Sequence, residues 1–361
     1  GDFIETIFYM VLRERLSDIR EVIHMTIREE LEKMERETLS PYATLSVNTK
    51  GREREEEQCD VRPVFQRDRD RILHCKAFRR LKNKTQVFLT PKGDHYRTRL
   101  SHTLEVSQNA RTIAKALRLN EDLVEAIALG HDMGHTPFGH AGEYVLNEIC
   151  EDGFRHNEQS VRIVEKLEKN GMGLNLTWEV RDGILNHQSK SMPHTLEGKV
   201  VRLSDKIAYV YHDVDDAIRA EILTEDDIPS EIRKTLGFTT KQRLNTLIHN
   251  VIMNSMDQDD IRMSADIQEA MFELRHFMFD HVYTNPIAKG EEVKAKAMIR
   301  RLFGFYKDHI EFLPEKYLAM LDEGEKTERV ICDYIAGMTD QYAITKFSEY
   351  FLPQARQVDG Y

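Results

Sequence analysis

The sequence predicts an all-helical protein, and two observations support that prediction. Apolar residues repeat at helical spacing over long stretches, as between Met271 and Met278, where Leu274 and Phe277 extend one face. The alternation of apolar and polar residues that is typical of half-buried strands is scarce, and no repeat of fixed length recurs. We therefore expect a helical core with additional N-terminal and C-terminal helices.

Three regions follow from the distribution of charged and reactive side chains. Residues 1–60 are predicted to form one or two charged amphipathic helices and a charged loop at 51–58. Residues 61–225 contain nearly every side chain that could act in catalysis, so we expect the core and the site there. Residues 226–361 are predicted to be helices that complete the core or make contacts between subunits.

Charge and cysteine content limit the classes of function and the compartment. The chain has 361 residues, with 51 basic and 62 acidic side chains and a formal net charge of −11. Such a protein is not expected to bind nucleic acid or anionic membranes through net charge alone. No apolar run approaches the length of a transmembrane helix. The four cysteines are far apart and form no CxxC pair, which favours reduced thiols in a cytoplasmic protein.

The segment ALGHDMGHTPFGHAGE (128–143) collects ligand and proton-transfer side chains in one bend. Asn120 is a suitable N-cap for the helix before it, and Pro137 prevents that helix from continuing. We therefore expect the helix to end near Met133. His131 and Asp132 would lie in its last turn, where a fraying backbone can direct both side chains to one ion.

Two further polar residues lie in apolar helical patterns, where charged groups are rare unless they are paired or bind a metal. His102 lies in the pattern RTRLSHTLEV, and Asp205 lies in the pattern VVRLSDKIAYV. With His131 and Asp132 they make two imidazoles and two carboxylates, a plausible site for one divalent ion. Each residue alone is more often an ordinary core or surface side chain. The ligand types do not choose among Mn, Mg, Fe, Ni and Zn.

Six stretches of the chain resemble the bacterial deoxynucleoside triphosphate (dNTP) triphosphohydrolases of the HD superfamily, often called dGTPase-like proteins. The stretches are FQRDRDRILHCKAFRRLKNKTQVF (65–88), GDHYRTRLSHTLEVSQNARTIAKAL (93–117), EAIALGHDMGHTPFGHAGE (125–143), HNEQSVRIVE (156–165), RLSDKIAYVYHD (202–213) and DYIAGMTDQYA (333–343). The resemblance implies an HD-domain helical core, and it places the family's four metal ligands on His102, His131, Asp132 and Asp205. It also implies hydrolysis of a dNTP to deoxynucleoside and inorganic tripolyphosphate, by attack of water on the α-phosphorus.

The resemblance further implies roles for the histidines of the bend. A deoxynucleoside 5′-oxygen leaves poorly unless it is protonated, and histidine titrates near neutrality. His140 is the candidate for this proton transfer, and Glu143 would share its helix face and orient its imidazole. His135 and His156 would face the phosphates. Without the resemblance, His140 and Glu143 are more simply explained as an ordinary pair on a helix surface.

The triphosphate is anionic and the chain is acidic, so positive charge must be concentrated locally. Basic residues recur between Arg62 and Arg99, although acidic neighbours leave open a solvated, salt-bridged surface. Arg99, on the helix face of a predicted ligand, is our first choice for a phosphate contact, and Lys206 is the second. By the resemblance, Asp213 would accept a hydrogen bond from the 3′-hydroxyl and Tyr209 would close against the sugar. A core tyrosine explains Tyr209 about equally well.

Two other functions fit parts of the sequence. An HD phosphohydrolase of another nucleotide would keep the metal site, although the HTPFGHAGE continuation and the basic run argue against it. A non-catalytic protein could use the metal as a structural pin and bind single-stranded DNA, but extra histidines beside the ligands favour an open, catalytic site. Family members typically form homo-oligomers, often hexamers, which we expect here. A dNTP activator, regulation by single-stranded DNA and the preferred base stay open.

Overall fold

The computed structural model describes residues 25–85, 97–188, 190–283 and 286–353. Within these ranges the chain is helical, with two isolated bridges and no extended strand, which confirms the predicted all-helical fold. The predicted helices within residues 1–24, and parts of the stretches 65–88 and 93–117, lie outside the described residues. The first helices are α1 (Ile27–Thr38), α2 (Val64–Leu73), α3 (Lys76–Arg80), α4 (Arg99–Ala116), α5 (Glu121–Gly130), α6 (His140–Ile149), α7 (His156–Arg162) and α8 (Trp178–Leu185). The remaining helices are α9 (Leu196–Arg219), α10 (Ser230–Leu236), α11 (Thr240–Ser255), α12 (Ala265–Met278), α13 (Pro286–Asp308), α14 (Glu315–Asp322), α15 (Thr327–Ala336) and α16 (Asp340–Phe351).

Helix α5 begins where the sequence predicts and ends slightly earlier. The Asn120 side chain accepts a hydrogen bond from the Leu123 amide at 3.3 Å, as an N-cap should. The helix ends at Gly130 rather than near Met133, and His131 is its C-cap. The Ser160 hydroxyl of α7 explains the early end, because it donates to the His131 carbonyl and accepts from the Gly134 amide, both at 2.8 Å.

The first hydrophobic core surrounds α5. Helices α2 and α4 pack against α5, and α9 packs along α4. Helices α5 and α8 approach closely because glycine lies at their contact: a Cβ at Gly130 would lie 2.5 Å from Ile184 Cδ1. A Cβ at Gly183 would lie 2.5 Å from Ile127 Cδ1. This core extends along the chain to Val282 and fixes the helices that carry the predicted ligands.

The second hydrophobic core joins α6 to the C-terminal helices. Buried apolar residues of segment 138–154 pack against those of segment 295–343. The Lys84 ammonium donates to the carbonyl of His135 and, at 2.9 Å, to that of Ala336, so it ties the bend to the end of α15. Helices after residue 225 therefore contribute to both cores, and the division of the chain at residues 60 and 225 stays a prediction.

The arginines at the start of the basic run are paired with carboxylates. Arginines 62, 67, 69 and 71 each form an ion pair with a carboxylate. Their partners come from the neighbouring loop, from α2 itself and from α5, namely Glu56, Asp70, Asp122 and Glu125. The salt-bridged alternative therefore describes these four arginines, and the concentration of positive charge stays a prediction for the rest of the run.

The most buried of these ion pairs carries a stability prediction. Asp68 is fully buried, pairs with Arg52, and accepts hydrogen bonds from the Thr177 amide at 2.8 Å and hydroxyl at 2.6 Å. Asp68→Ala removes the buried carboxylate that Arg52 and Thr177 share, and leaves Arg52 only its ion pair with Glu56 at 3.0 Å. We expect it to lower the free energy of unfolding by about 3–5 kcal/mol. Urea denaturation measures this. Asp70→Ala, which removes a more exposed pair, is the control and should cost less than about 1 kcal/mol. Equal losses in the two variants would contradict the prediction.

Candidate functional site

The four predicted metal ligands lie together between α4, α5 and α9. His102 comes from α4, His131 and Asp132 follow α5, and Asp205 comes from α9. The His102 Nε2 atom lies 3.0 Å from Asp205 Oδ1 and 3.9 Å from Asp132 Oδ2. The His131 Nε2 atom lies 3.5 Å from Asp132 Oδ1 and 3.6 Å from Asp205 Oδ1. We call these four residues the metal cluster.

The geometry of the metal cluster fits a divalent ion. Ligand atoms about 2.1 Å from an ion lie about 3.0–3.5 Å from one another in octahedral or tetrahedral geometry. The Nδ1 atom of His131 lies 2.7 Å from the Ala128 carbonyl, and its Nε2 atom is buried without a hydrogen-bond partner among the described residues. A cation bound between the two carboxylates would satisfy this nitrogen. The cluster could therefore hold a metal ion, whose identity the ligands do not determine.

The electrostatics of the metal cluster favour positive charge. Burial alone would lower the pKa of His131, but the charges of Asp132 and Asp205 outweigh it and raise the pKa to about 9. Burial likewise works to raise the pKa of Asp132, yet His131, His135 and Arg99 hold it well below its usual range. Burial also works to raise the pKa of the half-buried Asp205, but hydrogen bonds and the charges of the two histidines of the metal cluster hold it well below its usual range. Two carboxylates that stay ionised at this place are suited to hold a divalent cation.

Glu143 lies in the first turn of α6 and serves two histidines rather than one. Its carboxylate accepts from the His156 amide at 2.9 Å and lies 3.0 Å from His156 Nδ1. The His140 Nδ1 atom is farther away, at 3.5 Å, and the His140 side chain is 62% exposed. Burial would raise the pKa of Glu143, but His156 and His140 hold it far below its usual range. The predicted pair of His140 and Glu143 is present, and His156 is the closer partner.

The rings of His135 and His156 stack next to the metal cluster. Their centroids are 3.8 Å apart and their planes differ by 19°. The His135 Nε2 atom lies 3.3 Å from Asp132 Oδ1, and the His156 Nε2 atom lies 4.0 Å from the same oxygen. Burial, together with the charge of Arg99, lowers the pKa of His135 well below its usual range. Both predicted phosphate-facing histidines therefore border the cluster through Asp132.

Of the four predicted substrate residues, Arg99 contacts the metal cluster directly. Arg99 is buried and donates from Nη1 to Asp132 Oδ2 at 2.9 Å, so it also orients a ligand. Lys206, Tyr209 and Asp213 follow the ligand Asp205 along α9.

The environment of these α9 residues shifts their pKa values. Burial and the charges of Arg202 and Arg275 lower the pKa of Lys206 to about 8. Burial and the charge of Asp216 raise the pKa of Asp213 well above its usual range. The Asp213 Oδ2 atom is buried with no partner among the described residues. A protonated or unpartnered carboxyl of this kind is suited to hydrogen bonding with a ligand hydroxyl.

Comparison with known proteins decides the family. The HD domain matches residues 99–210, which include all four residues of the metal cluster, and a phosphohydrolase-associated domain matches residues 261–349. A deoxyguanosinetriphosphate triphosphohydrolase-like protein of Caldanaerobacter subterraneus subsp. tengcongensis is 57% identical over 329 residues, covering 91% of this chain and 97% of that protein. This chain belongs to the deoxyguanosinetriphosphate triphosphohydrolase-like family.

Other members of the triphosphohydrolase-like family match over nearly their whole length. A protein of the same name from Clostridium perfringens strain 13 is 50% identical over 91% of this chain and 99% of its own. Another from Desulfatibacillum aliphaticivorans is 48% identical over 91% of this chain and 99% of its own. A solved phosphohydrolase from Bacteroides thetaiotaomicron VPI-5482 aligns with a TM-score of 0.48 at 17% identity, over 78% of this chain and 69% of that one. The family matches make this chain an HD-domain hydrolase.

His187 is a site residue of this triphosphohydrolase-like chain that the sequence analysis missed. Its Nε2 atom lies 3.3 Å from His156 Nε2, its Nδ1 atom lies 2.7 Å from the Ile184 carbonyl, and its ring meets that of His131 edge-on at 5.0 Å. A signal was available in the sequence NHQ (186–188), which places a histidine just after a helix, as GHD (130–132) does after α5.

In the described parts of the triphosphohydrolase-like chain, no helix combines the length and the apolar character that crossing a bilayer requires.

Proposed function

We propose that this protein hydrolyses dNTPs to deoxynucleoside and inorganic tripolyphosphate in the presence of a divalent ion. One observation carries the proposal: a cluster able to hold a metal lies beside histidines and a glutamate suited to proton transfer, in a chain 57% identical to a deoxyguanosinetriphosphate triphosphohydrolase-like protein. A bound ion would act as a Lewis acid that neutralises charge developing on the α-phosphoryl oxygens. The other tasks fall to residues of this chain.

The first task is to protonate the 5′-oxygen that leaves. His140 is the residue that we assign to it, because its side chain is exposed and no described residue bonds to its Nε2 atom. His156 is held more firmly, since Glu143 faces one of its ring nitrogens and His187 faces the other. We assign to His156, together with His135, the contact with the phosphates. The Glu143 carboxylate contacts both His140 and His156. It can therefore orient the ring assigned to proton transfer and the ring assigned to the phosphates.

The second task is to hold the substrate for attack by water on the α-phosphorus. Arg99 and Lys206 are the cations that we assign to the triphosphate. Asp213 is assigned to the 3′-hydroxyl, and its buried oxygen supports this. Tyr209, whose pKa is raised by burial and by the charge of Asp213, is assigned to the face of the sugar. A fixed substrate lowers the barrier because the reacting groups are already oriented.

The test of this function is product analysis with each of the four dNTPs and several divalent metals, at defined salt. Release of tripolyphosphate in equimolar amount with deoxynucleoside would support the proposal. Release of phosphate or pyrophosphate, or activity only on nucleoside monophosphates, cyclic nucleotides or alarmones, would replace it with another HD phosphohydrolase reaction. Absence of any hydrolysis, with single-stranded DNA bound, would favour the non-catalytic alternative.

Lys206 gives a cleaner test of triphosphate binding than Arg99, because Arg99 also bonds to Asp132 of the metal cluster. Lys206→Ala should weaken dNTP binding by about 1.5–3 kcal/mol at low salt, the usual value of a hydrogen bond to a charged group. Equilibrium binding of a non-hydrolysable dNTP measures the loss. Lys199→Ala is the matched control, because Lys199 lies on the same helix and pairs with Asp260 at 2.8 Å. Equal affinities in the two variants would remove Lys206 from the substrate site.

We also predict a homo-oligomer. The helices after residue 225 extend beyond the elements that carry the site. Large apolar side chains of this region are exposed, including Phe238 in the turn before α11, Met253 on α11 and Phe272 on α12. Contacts between subunits would cover such side chains. Light scattering at micromolar concentration should give a mass well above the 42.2 kDa of one chain, and a single species of that mass would refute the prediction. Activation by a second dNTP and regulation by single-stranded DNA stay open.

A further inference from the structure

The ring of His102 has a chain of hydrogen-bonding groups on the side that faces away from the metal cluster. While its Nε2 atom faces Asp205, its Nδ1 atom lies 3.1 Å from Nδ1 of His212 on α9. The other ring nitrogen of His212, Nε2, contacts the carboxylate of Glu105 on α4. Both His102 and His212 are buried, with 1% of each residue exposed. We call Glu105, His212 and His102 the outer relay.

Helical spacing produces the outer relay. Glu105 follows the ligand His102 by three residues on α4, and His212 follows the ligand Asp205 by seven residues on α9. Each outer residue therefore shares a helix face with a ligand. The packing of α4 against α9 then brings the two faces together. Helices α4 and α9 thus supply the ligands His102 and Asp205 and also the two residues behind His102.

Only one arrangement of protons satisfies every nitrogen in the outer relay when an ion is bound. A ligating nitrogen directs its lone pair at the ion, so the neutral ring of His102 carries its proton on Nδ1. That proton is donated to His212 Nδ1, which must accept it. The proton of His212 is then on Nε2, next to the Glu105 carboxylate. Any other arrangement of neutral rings would set two hydrogens or two lone pairs against each other.

The far end of the outer relay is also anchored. Arg97 Nε lies 3.6 Å from Glu105 Oε1, while Arg97 Nη1 pairs with Asp215 at 3.0 Å and with Asp216 at 2.8 Å. The second histidine ligand, His131, needs no such relay because its Nδ1 atom meets the carbonyl of Ala128 in its own helix. His102 lies inside α4, where the backbone carbonyls accept hydrogen bonds within the helix. A side chain therefore has to accept the proton of its Nδ1 atom.

We propose that His212 and Glu105 are positioning residues that fix the orientation and tautomer of His102 and thereby raise the affinity of the metal cluster for its ion. The proposal rests on the proposed metal site. Groups behind a ligating histidine typically contribute 10–100-fold to metal affinity, because they hold the ring in place and make its nitrogen more basic. Neither residue belongs to the metal cluster or to the residues assigned to the substrate, so their effect should appear in metal binding before it appears in any catalytic step.

The test compares two replacements of His212. His212→Phe keeps the ring volume but removes the hydrogen bond to His102 and the contact with the Glu105 carboxylate. His212→Gln keeps an oxygen that can accept from His102 and an amide that can donate to Glu105. His194→Phe is the control, because His194 is exposed and bonds to Asp182 outside the site. We would measure the dissociation constant of Mn²⁺ for each metal-depleted protein by chelator competition, the visible spectrum with Co²⁺, and the melting temperature without metal.

We expect His212→Phe to bind Mn²⁺ about 10–100-fold more weakly than wild type and to change the Co²⁺ spectrum. His212→Gln should recover most of the affinity, and His194→Phe should match wild type. Equal affinity in wild type and His212→Phe would overturn the proposal. Equal weakness of the Phe and Gln variants would also overturn it, since the loss would then reflect packing rather than hydrogen bonding. A wild-type protein that binds no Mn²⁺ or Co²⁺ would overturn the metal site itself.

Glu105→Leu keeps the test decisive if His212→Phe does not fold. The Glu105 side chain is 38% exposed, so its replacement disturbs the packing less than that of the buried His212, although the Nε2 atom of His212 loses its acceptor. It should weaken Mn²⁺ binding in the same direction as His212→Phe but by a smaller factor, because the bond between the two histidines remains. Unchanged Mn²⁺ affinity and an unchanged Co²⁺ spectrum in a folded Glu105→Leu protein would remove Glu105 from the relay.

Discussion

Asp205→Ala should release the metal ion and abolish hydrolysis while it leaves the helices intact. A single oxygen of Asp205 lies 3.0 Å from His102 Nε2 and 3.6 Å from His131 Nε2, so it completes the group of ligand atoms. Its removal leaves two imidazoles and one carboxylate, and Arg99 already neutralises part of that carboxylate's charge. Alanine is the best helix former, so α9 should persist.

Metal content after dialysis, circular dichroism and turnover together measure this result. The matched control is Asp260→Ala, which removes a carboxylate paired with Lys199 of the same helix at 2.8 Å but outside the site. The control should retain wild-type metal content and turnover. An Asp205→Ala protein that retains one ion per chain would show that the ligand assignment is wrong, whatever its activity.

The fold was largely predictable because its signals are local. Helical periodicity predicted the all-helical class and stretches such as the one from Met271 to Met278, and the Asn120 cap and Pro137 set the approximate limits of α5 and of the bend after it. The shift of the helix end to Gly130 was not predictable from that segment, because the hydroxyl responsible is on Ser160, in another helix. A boundary set by a contact from a distant part of the chain leaves no trace in the local pattern.

The family resemblance named residues that lie together in the structure, whereas contacts between distant parts of the chain could not be predicted from the sequence. The two partners of Glu143 differ in sequence separation: His140 is three residues away and was named, whereas His156 is thirteen residues away and is closer in space. His212 lies 110 residues from His102, and nothing in the sequence links them. Arg69 pairs with Asp122 and Glu125 of α5, more than 50 residues later, and nothing in the local pattern of charges indicates those partners.

His140→Ala should lower turnover by about 10²–10⁴-fold while metal and dNTP still bind, because general acid–base catalysis typically contributes that factor. The residue stands at the start of α6, exposed, and outside the metal cluster, so its removal takes away a proton donor and no ligand. Single-turnover kinetics with saturating dNTP, together with metal content and substrate affinity, separate this role from a binding role.

Glu143→Gln and His156→Ala make the test of His140 specific. The loss of the Glu143 charge should move the alkaline limb of the pH–rate profile to lower pH, because a general acid must be protonated and the carboxylate no longer stabilises the cationic ring. His156→Ala should weaken dNTP binding more than it lowers single-turnover rate, since we assign it to the phosphates. If instead His140→Ala turns over like wild type and His156→Ala loses the 10²–10⁴-fold, the proton comes from His156. The contact of Glu143 with His156, which is closer than its contact with His140, would then be the one that supports proton transfer.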